Sequence, residues 1–336
     1  MMGKAVREME DYEGRKQQFD VRTDLAVEEK ESFPGDGGEI AGVSLKEWEH
    51  KKSRIKLTEV KILNDNGAKS MGKPKGTYIT LEADKLSEKD EDYHREVSEE
   101  LAKQIERVIK DLKLPMKKPG ILVVGLGNPS VTPDALGPKV LNNLQVTRHL
   151  KKQYGEEFCE KHHMPVLSGI IPGVMAQTGM ETAEILKGII YETRPDLLIV
   201  IDALAARSVK RLGTTIQLTD TGIHPGSGVG NHRSGLTMES LGVPVLAIGV
   251  PTVVGAAAIV HDTVSTMLKV LSRDSATKGM GEFMEQTSPE EQYDLIRELL
   301  EPEFGSLYVT PPDIDETVTQ LSFTISEGIH LAFFEG

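Results

Sequence analysis

Two aspartates stand where carboxylates do chemistry in open α/β proteins. The apolar run Ile121 to Val124 passes through the turn Gly125-Leu126-Gly127-Asn128 and delivers Asp134 a few residues later. A second apolar run, Leu197 to Ile201, ends directly on Asp202. Short apolar runs of this kind read as buried strands of a parallel sheet, and the carboxyl ends of such strands are where open α/β folds hold their ligands. Two carboxylates sharing such an edge repel, so one keeps a proton and the pair can divide general-acid and general-base work on a water. Asp134 and Asp202 are therefore the expected chemical centre of a hydrolase, and in first place a peptidase. Each acid also has a plainer reading. Asp134 suits a helix N-cap before Ala135 to Val140, with Pro138 in the first turn, and Asp202 suits a strand end bonded to loop amides.

Glycine-rich turns surround these acids. Backbone amides of Gly125, Gly127 and Asn128, or of the loop from Gly226 to Gly230, are candidates to receive a developing oxyanion. The loop GSGVGNHRSG also carries His232 and Arg233, the first a candidate acid or ligand and the second a candidate partner for a substrate carboxylate; a solvated loop is the alternative. The GLGN turn invites a dinucleotide reading, but Ser130 stands where a third glycine belongs and Pro129 removes an amide donor. No acid ends a strand some 20 residues later, where a ribose would be held. The cluster Cys159-Glu160-Lys161-His162-His163 has metal-ligand residue types, yet one thiol in a helix-like setting fits a surface segment better. There is no G-x-S-x-G elbow and no H-E-x-x-H.

The elements that must position the acids alternate. Strands are expected at Ile121 to Val124, Val166 to Ile170, Leu197 to Ile201 and Val245 to Val250. Helices run through Val140 and Leu144, Ala183 and Leu186, and Val264 and Leu268, which gives a mostly parallel twisted sheet flanked by helices. Ahead of it, Arg54 to Leu63 and Thr77 to Leu81 read as an added N-terminal β-hairpin, and Ser32 to Gly42 as a loop. Apolar residues recur at helical spacing from Val97 to Leu112, with glutamates early and lysines late, so Ser87 to Leu112 is expected as helix. Gly279 to Phe304 reads as an acidic helix and Asp313 to Phe334 as an amphipathic one.

The chain has 336 residues, 38% of them hydrophobic, enough to bury a full core. A formal net charge of -13 disfavours direct nucleic-acid binding but leaves a basic protein open as substrate. The single cysteine, Cys159, forms no internal disulfide and suits a reducing interior. No apolar run approaches the roughly 20 residues of a membrane span, and the charged amino terminus does not read as a signal peptide, so a cytoplasmic protein is expected.

Several long motifs resemble the germination protease family of endospore-forming bacteria: FDVRTDLAVEEKE, GLGNPSVTPDALGP, IVIDALAAR, GSGVGNHR and VTPPDIDETV. That family is itself distantly similar to the hydrogenase-maturation peptidases. The resemblance implies an endopeptidase that degrades small acid-soluble spore proteins during germination and is made in the forespore as an inactive, self-processing homotetrameric zymogen. It places the family's two essential aspartates on Asp134 and Asp202 and implies no cofactor and no metal. Family substrates are cut after the acid of a T-E-F/I-A-S-E type sequence, which Thr23-Asp24-Leu25-Ala26-Val27-Glu28 imitates. Self-cleavage is therefore expected between Asp24 and Leu25. Residues 1–24 would be a propeptide and residues 25–336 one α/β peptidase domain, its core at about 119–272. A fall in pH that protonates one acid is expected to favour this step. The rivals are a metal-dependent maturation-type peptidase and a noncatalytic nucleotide- or anion-binding module.

Overall fold

The computed structural model describes residues 23–31, 40–51, 53–112, 114, 119–226, 233–271, 289–304 and 307–334. Outside the described residues lie most of the expected propeptide, the loop at 32–39, the loop at 227–232 with His232, and the first ten residues of the helix expected from Gly279. Thr23–Val253 with Thr310–Gly336 forms one compact unit, and Val254–Val309 belongs to another.

The first unit opens with a short helix, α1 (Ala26–Glu31), and two strands, β1 (Val43–His50) and β2 (Ile55–Ile62). Helix α2 (Asp65–Met71) follows; Asn64 accepts the Gly67 amide at its start, and Gly72 closes it in left-handed conformation. Next come β3 (Gly76–Glu82), the long helix α3 (Glu91–Leu112) and β4 (Gly120–Gly125). A 3-10 turn at Thr132–Asp134 leads into α4 (Leu136–Asn143), α5 (Arg148–Tyr154), α6 (Glu156–Lys161) and β5 (Val166–Ile170). Helices α7 (Met175–Thr178) and α8 (Thr182–Thr193) precede β6 (Leu197–Ala206), a 3-10 turn at Val209–Arg211, β7 (Thr215–Thr219) and α9 (Met238–Leu241). Strand β8 (Val245–Gly255) runs into the second unit. There α10 (Ala256–Leu271) packs on α11 (Pro289–Phe304), with the His261 and Tyr293 rings edge to face at 6.1 Å. Strand β9 (Tyr308–Val309) pairs antiparallel with Val254 and Gly255. Helix α12 (Ile314–Phe334) belongs to the first unit.

The sheet runs β1-β2-β3-β7-β8-β6-β4-β5. Its strands β6, β4 and β5 are parallel, as expected, and they carry both aspartates. The hairpin of β2 and β3 is joined to this half through β7, and the pairings from β1 to β8 along that path are antiparallel, so the sheet is mixed. Two features hid this extension. Strand β1, VSLKEWEH, is at most half-buried and carries only Val43, Leu45 and Trp48 as apolar residues, while β7 is only five residues long.

Alternation along the central strands splits the core in two. Ile121, Val123, Leu197, Ile199 and Ile201 face a cluster completed by Leu101 and Ile105 of α3 and by Leu321, Ile325 and Ile329 of α12. On the opposite face Leu122, Val124, Leu198 and Val200 meet Ala183 and Leu186 of α8. Each of the buried Val, Leu and Ile side chains contributes about 1.5–3 kcal/mol relative to an exposed one. Helices α3 and α12 approach closely at Gly328, where a Cβ would sit 3.0 Å from Leu101, and the Ser98 hydroxyl donates to the Thr324 carbonyl at 3.0 Å. No described helix is long and apolar enough to cross a membrane.

Candidate active site

Strand register brings the two acids to one edge. Gly125 at the end of β4 lies opposite Ile201 of β6, and the Leu126 amide donates to the Ile201 carbonyl at 2.8 Å, one residue before Asp202. The glycines permit this approach. A Cβ on Gly125 would lie 2.4 Å from the Gly137 carbonyl oxygen at the start of α4. Gly127 has φ +109 and would place a Cβ 1.9 Å from the Asp134 carbonyl oxygen.

Asp134 is not the cap of α4. Ala135 holds that position without a side-chain bond, and the Asp134 carboxylate instead accepts the Asn128 amide at 2.7 Å. The Asn128 amide thus holds the acid in place. The Asn128 side chain in turn accepts from the Ser130 amide at 3.0 Å and the Gln177 amide group at 3.3 Å. Asp202 is buried, 7% exposed, and accepts its neighbour's Ala203 amide at 3.0 Å.

Electrostatics separate the two acids. Burial pushes Asp202 well above the usual carboxyl range, and the negative charges of Asp134 and Asp24 push it further, against the Ala203 amide and Arg233. Asp134 is also raised by burial, opposed by the Asn128 amide and by Arg233. Arg233, singled out from the glycine-rich loop, is thus close enough to bias both carboxylates. Both shifts favour the protonated form, and the push is stronger on Asp202, where burial is joined by two like charges.

The segment Thr23 to Glu28 lies against this edge. The Asp24 amide donates to the Ala205 carbonyl at 3.3 Å, and the Ala205 amide returns a bond to the Asp24 carboxylate at 2.9 Å. Leu25, the first residue after the expected cleavage point, is fully buried. The Asp24 carbonyl oxygen accepts from Lys73 Nζ at 3.2 Å and Gln217 Nε2 at 3.0 Å. The Gln217 oxygen accepts the Ala26 amide at 2.7 Å, and Lys73 also reaches the Thr23 carbonyl at 3.3 Å. Further along, the buried Glu28 carboxylate accepts the Thr23 hydroxyl, the Arg207 amide at 2.8 Å and the Ser208 amide at 3.1 Å. Arg211 Nε lies 3.4 Å from it. A cavity of about 80 Å³ next to the segment is lined by Asp24, Lys73, Tyr78, Gln217 and His224, among others.

Sequence reasoning missed Lys73, Gln217 and Arg211. Lys73 sits in the linker after α2 and Gln217 inside the short β7, and neither lies in a motif. Of the remaining candidates, Cys159 is buried on α6. Among the described residues, no group of three or more His, Cys, Asp or Glu is arranged to hold a metal ion. A larger cavity of about 690 Å³ lies at the opposite, amino edge of the sheet, lined by Gly120, Arg148, Cys159 and Asp196 among others. Neither cavity is lined by Asp134 or Asp202, and the site is assigned on the paired acids themselves.

Gly127→Ala tests the turn's role. Its Cβ would displace Asp134, and a 1 Å misplacement of a reacting group costs on the order of 10²-fold in rate. Peptide cleavage is expected to fall about a hundredfold, and unfolding free energy by roughly 1–3 kcal/mol, measured by kcat/KM and thermal melting.

The site and sheet thus define an α/β protein with two unequal carboxylates on neighbouring strand edges, and the matching family is one of peptidases. The family model described as germination protease matches residues 21–282, and this chain belongs to the germination protease family. A germination protease of Caldanaerobacter subterraneus subsp. tengcongensis is 48% identical over 321 residues, covering 94% of this chain and 95% of that protein. One of Clostridium tetani is 45% identical, covering 93% and 95%, and one of Priestia megaterium 40% identical, covering 94% of each. A solved [NiFe] hydrogenase maturation protease, HycI from Thermococcus kodakarensis KOD1, is 18% identical with a TM-score of 0.30, covering 66% of this chain and 98% of that one.

Proposed function

We propose that this protease is a self-processing zymogen of the spore core that, once cut between Asp24 and Leu25, degrades small acid-soluble spore proteins as a homotetramer. Asp134 and Asp202 carry the chemistry. The observation that supports this most is the binding of Thr23 to Glu28, the imitation of a T-E-I-A-S-E site, against the edge bearing both acids. A water activated by Asp134 attacks the Asp24 carbonyl carbon, and the proton held by Asp202 is delivered as the C–N bond breaks. Electrically this is an atypical aspartic mechanism, with the two roles divided by burial and by like-charge repulsion.

Mass spectrometry of the full chain, and of a peptide containing Thr-Glu-Ile-Ala-Ser-Glu incubated with protein lacking residues 1–24, tests the reading. Products ending at Asp24 and at the first glutamate of the peptide are expected. An intact peptide and an intact chain would remove it. Native mass spectrometry reads the tetramer.

The two raised acids predict a bell-shaped pH dependence. Activity falls on the acid side as Asp134 takes up a proton and on the alkaline side as Asp202 loses its own. Acidification from above therefore favours processing until Asp134 is protonated. Arg233 lowers both values, so Arg233→Gln is expected to move both limbs to higher pH in a profile of kcat/KM.

A further inference from the structure

Resting on that reading, we propose that Lys73 and Gln217 form the site that binds and polarises the carbonyl oxygen of the residue preceding the cut bond. Both donate to one atom, the Asp24 carbonyl oxygen, at 3.2 and 3.0 Å. They approach from separate elements, the linker after α2 and the sheet strand β7, so two donors converge on one acceptor. Gln217 also receives the Ala26 amide at 2.7 Å and therefore fixes the chain on both sides of the Asp24–Leu25 bond.

Two amides of the glycine turn are already engaged. The Asn128 amide is committed to Asp134 and the Leu126 amide to Ile201. Burial lowers the proton affinity of Lys73, and the nearby charges of Asp24, Glu29 and Glu28 oppose that shift and favour its charged form. A charge-assisted donor strengthens as negative charge gathers on the oxygen, which is the interaction that lowers a barrier.

The step then balances as follows. Water forms a bond to the Asp24 carbonyl carbon and gives a proton to Asp134, while Lys73 and Gln217 hold the negative oxygen. The C–N bond breaks, the Asp202 proton passes to the Leu25 nitrogen, and the products are a carboxyl group on Asp24 and an amine on Leu25. One proton moved through solvent from Asp134 to Asp202 restores the starting state. Asp202 is thereby reserved for the leaving amine, and a substrate peptide would place the carbonyl of its own acid on the same two donors.

The test uses the full chain, following self-processing, and the processed enzyme on a Thr-Glu-Ile-Ala-Ser-Glu peptide, with Lys73→Met, Lys73→Arg and Gln217→Met. Loss of an oxyanion donor costs on the order of 10²–10³-fold in rate. Lys73→Met and Gln217→Met are each expected to lose that much in kcat with peptide KM within about threefold, and Lys73→Arg to recover at least tenfold of the loss. Rates of both Met variants within fivefold of the parent would overturn the proposal, as would a loss carried wholly by KM. If Gln217→Met does not fold, Lys73→Met decides, since Lys73 lies on a linker outside the core. A parent enzyme that leaves the peptide intact, or an Asp134→Asn enzyme that still cuts it, overturns the functional reading instead.

Discussion

Asp134→Asn and Asp202→Asn are each expected to abolish cleavage of the peptide and of the chain itself, by about 10⁴-fold or more, the scale of losing one member of a proton-transfer unit. The double variant is expected to be no worse than either single, because in the proposed mechanism the two acids act on one water and one bond. Stability separates them from a folding defect. An acid whose folded-state proton affinity is raised costs stability once pH passes the unfolded carboxyl value of about 3.9, where the unfolded chain ionises and the folded one resists. Asp202→Asn is therefore expected to melt like the parent near pH 3 and to be more stable at neutral pH, by on the order of 1 kcal/mol, the scale of a single stabilising change. Thermal melting against pH reads the difference. An inactive Asp202→Asn protein that is also less stable at neutral pH would count against the buried, charge-repelled acid described here.

The second large effect falls on Arg211. Its guanidinium is buried and joins three carboxylates from different parts of the chain: Glu28 of α1 at 3.4 Å, Glu31 of the same helix at 2.7 Å and Glu82 of β3 at 2.8 Å. Arg211→Leu leaves Glu28 without its cation in a dry setting, and breaking a buried pair in this way costs about 3–5 kcal/mol. The melting midpoint is expected to fall by about 5–10 °C. In the proposed mechanism self-cleavage should slow as well, because Glu28 anchors the end of the segment that carries the Asp24–Leu25 bond. Combining Arg211→Leu with Glu28→Leu should recover part of the lost stability, since the buried charge then disappears with its partner. A double variant no more stable than Arg211→Leu would mean that the ion pair is not the source of the loss.

Strands β4 and β6 were legible because each carries an apolar run buried on both faces, and the two aspartates were legible because each follows such a run directly or across one tight turn. Helices α3 and α12 were equally plain from their apolar spacing. The mixed character of the sheet was less visible. Strand β1 exposes much of its surface, so burial imposes little pattern on it, and β7 is too short to carry a period. The turn Gly125 to Asn128 was seen as an oxyanion candidate, yet the Asn128 amide is used by Asp134 itself, a contact that depends on how the 3-10 turn folds back.

What the sequence determined by itself is the local part: the apolar strands, the acids at their ends and the glycines that let β4 turn tightly. These follow from neighbours along the chain, where hydrophobic periodicity and backbone freedom act. Only the tertiary structure decided that the proton affinity of Asp202 is pushed up more strongly than that of Asp134, because burial and the charges of Asp134 and Asp24 act through space. It also decided that Lys73 and Gln217 converge on one carbonyl oxygen and that Arg211 gathers three carboxylates. Lys73 and Gln217 lie 49 and 193 residues from Asp24. Contacts over such separations are fixed by sheet register and core packing, and no short stretch of sequence encodes them.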